Sequence, residues 1–276
     1  MIAYFDTAVF DSLYSKAGHT SADIANLRKA IYGRELSIRL SIHSLEEILI
    51  ARKAPPQALA AQLKLTLSLA NSRTMIKPCD QLLRDDIRAY AASGAADRPF
   101  LRGDLQNACA EGIAAVVESD GEEFEEEFAE VLEQTRRGKE RVREVLAQTA
   151  ARAGARVQTQ RPSFDQYWDA YASRAAEVLA ETIEPSCAIG PDRIDGLLRV
   201  KSVRMAAGIA LSSAYEAAFD PDYDPGSSAR FHHAISAAAA AEAFVAGDAR
   251  MGSIVARVPV DGFAVLDLPA FLKTIA

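Results

Sequence analysis

Three acidic residues in this chain stand at the ends of short apolar segments that are predicted to be strands. Asp6 follows the strand predicted over 2–5, and Asp248 follows the strand predicted over 243–246. Glu47 lies on a helix predicted directly after a strand over 36–40. Because ligands bind at the carboxyl edge of an open parallel sheet, we expect these three side chains to converge despite their separation in sequence.

The chemistry that such a cluster supports follows from its charge. Carboxylates held together repel one another unless a cation lies among them, and oxygen ligands suit Mg²⁺ or Mn²⁺. An ion of this kind acidifies an attacking water and neutralises charge on a leaving oxygen. The pattern therefore predicts phosphodiester hydrolysis, with Asp6, Glu47 and Asp248 as both catalytic residues and metal ligands.

The elements that must position these residues alternate between strand and helix at both ends of the chain. Strands are predicted over 2–5, 36–40, 74–77, 243–246 and 263–266. Helices are predicted over 8–17, 21–31, 44–50, 55–69, 81–92, 165–181, 193–219, 230–242, 250–257 and 269–275. The fold class is therefore α/β, with a short parallel sheet flanked by helices.

Strand signals are missing from the middle of the chain, which divides it into three parts. Residues 1–97 and 220–276 are predicted to form the two parts of one core, and 98–219 an inserted, all-helical region. Within the insertion, 118–133 carries nine acidic and no basic residues, and 134–161 is mostly basic. Such blocks are typical of solvated helix faces that pair with each other. The alternative is a helical arm over 118–161 that docks RNA or a protein partner.

Composition limits the class of protein. The chain has 276 residues, with 49% hydrophobic and 25% charged, as in ordinary globular proteins. No apolar stretch is long enough to span a bilayer, so we expect no membrane partner and a cytoplasmic location. A net charge of -7 argues against a surface that grips nucleic acid everywhere, although local patches could still bind. The three cysteines have no metal-binding spacing.

A family resemblance joins these features. The segments Phe5-Asp6-Thr7, Ser41-xx-Ser44-xx-Glu47-Ile48-Leu49, and His233-Ala234 leading to Phe244-Val245-Ala246-Gly247-Asp248 resemble a PIN domain. That family has a three-layer fold and comprises metal-dependent ribonucleases found in toxin–antitoxin pairs and RNA processing. The resemblance covers about 1–92 and 225–276. It implies metal ligands at Asp6, Glu47 and Asp248, with supporting roles for Thr7, Ser44 and His233.

Two positions depart from the family pattern. Ala229 and Arg230 stand where an aspartate usually precedes the histidine of the late helix, and Ala246 replaces a hydroxyl residue near the last aspartate. Asp224, or its neighbours Asp220 and Asp222, could replace the lost carboxylate. Otherwise the metal site is weakened or lost.

Each singled-out residue also has a structural explanation. Asp6 and Asp248 are suited to cap helices, and Glu47 to face solvent beside Glu46. Adjacent side chains on a helix point about 100° apart, so His232 and His233 are not expected to face one site together. The basic residues Arg193, Arg199, Lys201 and Arg204 are predicted either to contact RNA or a partner, or to cover a helix surface.

Two functions follow from these observations. The first is an intracellular endoribonuclease that uses Mg²⁺ or Mn²⁺, with the helical insertion selecting RNA or a partner. The second is a catalytically degenerate PIN-like scaffold that binds protein or RNA through its charged insertion. A stand-alone toxin is a weaker third possibility, because the insertion makes the chain about twice the size that this role needs.

Overall fold

The fold is built on one five-stranded sheet. The computed structural model describes residues 1–16, 20–50, 55–154, 161–220 and 230–275, without the side chains of 71–73. The strands are β1 (Ile2–Phe5), β2 (Ser37–Ser41), β3 (Ala70–Ile76), β4 (Ala243–Val245) and β5 (Ala264–Leu266). All neighbouring strands pair in parallel, in the order β3-β2-β1-β4-β5.

The helices alternate with the strands except in one long excursion. Before β3 lie α1 (Thr7–Ser15), α2 (Ser21–Tyr32), α3 (Ile42–Leu49) and α4 (Pro56–Leu69). Between β3 and β4 lie α5 (Cys79–Ser93), α6 (Gly103–Glu118), α7 (Glu126–Ala153), α8 (Phe164–Ile183), α9 (Pro191–Leu197), α10 (Lys201–Phe219) and α11 (Phe231–Ala240). The chain ends with α12 (Ala249–Arg257) between β4 and β5, and α13 (Leu268–Thr274).

Both faces of the sheet are covered, as a parallel sheet requires. Successive side chains of β1 point to opposite faces, so Tyr4 belongs to one apolar cluster while Ala3 and Phe5 belong to the other. The Tyr4 side is covered by residues of α5 and of α8 to α12. The opposite side is covered by residues of α1, α3, α4 and α13. The protein is thus a mixed α/β protein with helices on both sides of its sheet.

The strand order reverses beside β1, since β2 and β3 lie on one side of it and β4 and β5 on the other. Such a reversal opens a crevice at the carboxyl ends of the central strands, where α/β proteins bind ligands. The helix after β2, α3, begins at this edge, and so does α11, because it runs from this edge back to the start of β4. The topology therefore brings the first turns of α3 and α11 to the same end of the sheet.

The long central region packs into the body of the protein. Helix α7 contacts α3, α5, α6, α8 and α10 along its length. Eight of its buried residues follow a spacing of alternately four and three residues, which forms a continuous buried stripe: Phe128, Leu132, Thr135, Lys139, Val142, Leu146, Thr149 and Ala153. Helix α7 is thus packed on several sides and is not a projecting arm.

The structure also corrects several sequence-predicted boundaries. The helix predicted over 193–219 is two helices, α9 and α10, and β3 begins at Ala70, four residues before the predicted start. Helix α11 ends at Ala240, because the next strand pairs from Ala243 onward. Among the residues that the structure describes, no helix combines the length and apolar character needed to cross a bilayer.

Candidate metal centre

The carboxylate of Glu47 is held between two histidine rings. His232 Nε2 lies 2.8 Å from Glu47 Oε1, and His233 Nε2 lies 3.1 Å from Glu47 Oε2. Both histidines are buried and the glutamate is largely buried. The ligand atoms of these three side chains all lie within 4.8 Å of one another. In the described part of the chain, no other group of three or more acidic, histidine or cysteine side chains meets this criterion.

Residues of β1 and β2 fix the orientation of the second imidazole. His233 Nδ1 lies 2.7 Å from the Tyr4 hydroxyl, which lies 2.6 Å from Ser41 Oγ. The other ring nitrogen, Nε2, also lies 3.1 Å from Thr7 Oγ1. The Ser44 hydroxyl is farther from the Tyr4 hydroxyl than that of Ser41 is, at 3.5 Å. A histidine held through one nitrogen presents the other in a defined direction, as metal-ligating histidines do.

The expectation that His232 and His233 cannot face one site together is wrong. The 100° angle between adjacent side chains of a helix is real, but a carboxylate has two oxygens and each ring contacts a different one. The ring centroids of the two histidines are only 4.3 Å apart. His232 Nδ1 is buried and has no hydrogen-bond partner within the described residues. The sequence predicted no site role for Tyr4 or Ser41, although Ser41 belongs to the motif that contains Glu47.

A buried lysine completes the surroundings of Glu47. Lys139, from α7, places Nζ 2.5 Å from Glu46 Oε2 and 3.8 Å from Glu47 Oε1. Glu46 is buried, with a side chain that is 1% exposed, so it does not face solvent. Helix α7 thus contributes a charged group beside the candidate metal centre.

Asp6 lies at the same sheet edge but in a different environment. Its side chain is fully buried, with Oδ1 accepting from Val9 N at 3.0 Å and Oδ2 accepting from Gly247 N at 2.8 Å. The first bond caps α1, as Asp residues commonly do. The second ties the end of β1 to the segment after β4. Both oxygens therefore already serve backbone groups.

Asp248 is exposed and caps α12, with Oδ1 accepting from Met251 N at 2.7 Å. Neither Asp248 nor Asp6 belongs to a group of three metal-ligand side chains among the described residues. Asp222, Asp224 and Ala229 lie outside the described residues. Arg230 directly precedes α11, and its Nη1 is buried without a hydrogen-bond partner in the described chain.

The electrostatics of the cluster favour a charged Glu47 carboxylate beside a neutral His232 ring. Burial alone would raise the pKa of Glu47, but the adjacent His233 and His232 lower it well below its usual range. Burial, reinforced by His233, lowers the pKa of His232 to about 3. Burial also lowers the pKa of His43, whose Nε2 accepts from Cys79 N at 2.8 Å. Burial raises the pKa of Tyr4, so its hydroxyl stays protonated.

These shifts predict that the metal-free protein loses stability as the pH falls below about 6.5. The unfolded chain then binds protons at His43 and His232 that the folded chain excludes, and each imidazole lowers the free energy of unfolding by up to about 2 kcal/mol at pH 5. Asp86 acts in the opposite direction, because burial raises its pKa to about 6. At pH 5, protonation of Asp86 in the folded state restores only about 1.4 kcal/mol of the free energy of unfolding.

Urea unfolding in the presence of a chelator at pH 7.5, 6.5, 5.5 and 5.0 measures this net loss. The variant His43→Gln removes one of the two titrating imidazoles and should reduce the net loss of stability between pH 7.5 and pH 5.0 from about 2.6 to about 0.6 kcal/mol. A free energy of unfolding that is constant from pH 7.5 to pH 5.0 would contradict the neutral, buried state of both rings.

The four predicted contact residues do not form one basic helix. Arg193 lies on α9, donates to the carbonyls of Tyr90 and Ala91 and packs over the Tyr90 ring. Arg204, on α10, packs over the Trp168 ring. Arg199 and Lys201 are exposed and, with Arg193, line a cavity of about 380 Å³ that Ala239 also lines.

That cavity is separate from the histidine cluster. Ala239 is six residues beyond His233 on α11, which corresponds to about 9 Å along the helix axis. None of Glu47, His232 and His233 lines this cavity.

In comparisons with known proteins, no family model, curated protein or solved structure matches this chain.

Proposed function

We propose that this chain is a PIN-like, metal-dependent endoribonuclease whose metal is held by Glu47, His232 and His233. The observation that carries the proposal is the Glu47 carboxylate, each oxygen of which faces one imidazole Nε2 at 2.8 or 3.1 Å. The group lies at the carboxyl edge of a parallel sheet, where this class of fold binds its ligands. The order of Asp6, Glu47 and Asp248 along the chain supports the PIN-like assignment.

The ligand atoms fit a divalent cation in both spacing and chemistry. Ligands at about 2.1 Å around one ion lie about 3 Å apart, close to the two distances that join Glu47 to its histidines. Of the two ions expected from the sequence, Mn²⁺ suits this group better, because imidazole nitrogen is a better ligand for transition metals than for Mg²⁺. Asp6 and Asp248 stay proposed as further carboxylates of the site.

The chemistry that a bound Mn²⁺ supplies is polarisation of a phosphoryl oxygen and acidification of an attacking water. The surrounding residues hold the ligands in place. Tyr4 and Ser41 orient His233 through its Nδ1, and Thr7 approaches the same ring from the other side. In the reaction, a water oxygen bonds to phosphorus, the bond from phosphorus to one ribose oxygen breaks, and a proton passes to that oxygen.

Cleavage of single-stranded RNA by the purified chain tests the proposal. We expect endonucleolytic products with Mn²⁺ and none with excess chelator. The matched variant Asp248→Asn keeps a side chain that caps α12, since asparagine caps helices as well as aspartate. Its stability should therefore change by less than about 0.5 kcal/mol. A drop in its cleavage rate would then assign Asp248 to the site, whereas no Mn²⁺-dependent cleavage by the parent chain contradicts the proposal.

The second candidate function is a catalytically degenerate scaffold. The observation in its favour is that Glu47 already has a hydrogen-bond partner on each oxygen, as Asp6 does, so these carboxylates are satisfied without a cation. Calorimetric titration with Mn²⁺ separates the two functions. Binding at micromolar concentrations supports the enzyme, and the absence of binding supports the scaffold.

A further inference from the structure

The inserted region reaches the candidate metal centre through one residue. Lys139 lies near the middle of α7, and its side chain is 10% exposed. Its ammonium is 2.5 Å from Glu46 Oε2 and 3.8 Å from Glu47 Oε1. Glu46 Oε2 and Glu47 Oε1 thus both face the ammonium of Lys139.

A lysine at this position needs a reason beyond packing. It occupies the buried stripe of α7 between Thr135 and Val142, where an aliphatic side chain would bury the same surface. Removing an ammonium from water is costly unless it is paired, and replacing a buried ion pair with apolar groups is often neutral or stabilising. Stability alone therefore does not account for a charged pair here.

The arrangement of charges suggests the reason. Glu46 and Glu47 are consecutive and largely buried, so without Lys139 two negative charges would lie close together beside the imidazoles. Such a pair of carboxylates attracts cations, and two carboxylates with histidines could hold two of them. An ammonium paired with Glu46 removes that carboxylate from the available ligands and leaves Glu47 as the carboxylate that faces the histidines.

We propose that Lys139 is a positioning residue that takes the place of a second metal ion, so that the centre binds one Mn²⁺ through Glu47 and not through Glu46. This inference rests on the proposed metal site. It assigns the inserted helix α7 a direct part in that site, through the contacts of Lys139 with Glu46 and Glu47. The site is then incomplete without the insertion.

Mn²⁺ titration of three variants tests this role, because the single variants should change affinity in opposite directions. Lys139→Met frees Glu46 and should lower the Mn²⁺ dissociation constant about tenfold or admit a second ion. Glu46→Gln leaves the ammonium without its own counterion, beside Glu47, and should raise the constant about tenfold. The double variant Glu46→Gln/Lys139→Met removes both charges and should bind one ion within about threefold of the parent chain.

A purely structural ion pair predicts a different pattern, in which both single variants lose stability and neither shifts the dissociation constant. Unchanged constants in both would overturn the role of Lys139. Glu46→Gln keeps a hydrogen-bond partner for the ammonium, so it decides the matter even if circular dichroism shows that Lys139→Met is unfolded. A parent chain that binds no Mn²⁺ contradicts the proposed metal site itself, which is a separate failure.

Discussion

Replacing Glu47 with glutamine is expected to remove Mn²⁺ binding and to lower Mn²⁺-dependent RNA cleavage about a thousandfold. Glutamine keeps the size of the side chain but replaces one carboxylate oxygen by an amide NH₂, which is not a metal ligand. Because each oxygen of Glu47 contacts a different histidine, the substitution also separates one ring from its partner. No other acidic side chain of the described residues belongs to this three-residue group.

Calorimetry with Mn²⁺ and initial rates of RNA cleavage measure this effect. Glu122→Gln is the matched control. It removes the same negative charge, and Glu122 is an exposed residue outside the site. Cleavage by Glu47→Gln at a rate within tenfold of the parent chain would show that Glu47 is not a metal ligand.

Replacing Asp6 with asparagine is expected to destabilise the fold by about 2 to 4 kcal/mol. Asp6 has two oxygens that accept from the backbone of Val9 and Gly247, and asparagine has only one. One of the two backbone N–H groups must then face an NH₂ group beside a fully buried side chain. The substitution therefore removes either the cap of α1 or the link between β1 and the segment after β4.

Urea unfolding at pH 7.5 measures the loss, and Asp267→Asn is its control. Asp267 caps α13 through a single bond from Ala270 N, so asparagine can replace it at little cost. Equal stability of Asp6→Asn and the parent chain would contradict the structural role of Asp6. If the loss is found, reduced cleavage by Asp6→Asn identifies a metal ligand only at temperatures where that variant is still folded.

The sheet and its order of elements could be predicted because their signals are local. Four of the five strands begin within one residue of their predicted position, since short apolar runs bounded by polar or turn residues mark strands clearly. The start of β3 was missed by four residues, because its first positions, Ala70 and Asn71, carry little strand propensity. The α/β class followed from the alternation of elements alone.

The partners within the candidate site could be predicted only in part. The sequence places Glu47 and His233 at the edge of the sheet, but it cannot show that His232 reaches the second oxygen of the same carboxylate. That contact depends on how closely α3 and α11 approach each other, which no local pattern encodes. Lys139 did leave a signal, because it is the charged residue in the buried stripe of α7, and a buried lysine requires a partner.

The order in which the site's residues are synthesised has a consequence for the cell. Glu47 and His232 are separated by 185 residues, and β1 gains its second neighbour only when β4 has been made. At the usual speed of translation, roughly 10 to 40 s pass between the synthesis of the two ligands. Under the proposed function, the chain therefore cannot hold a metal ion through Glu47, His232 and His233 until α11 has been made.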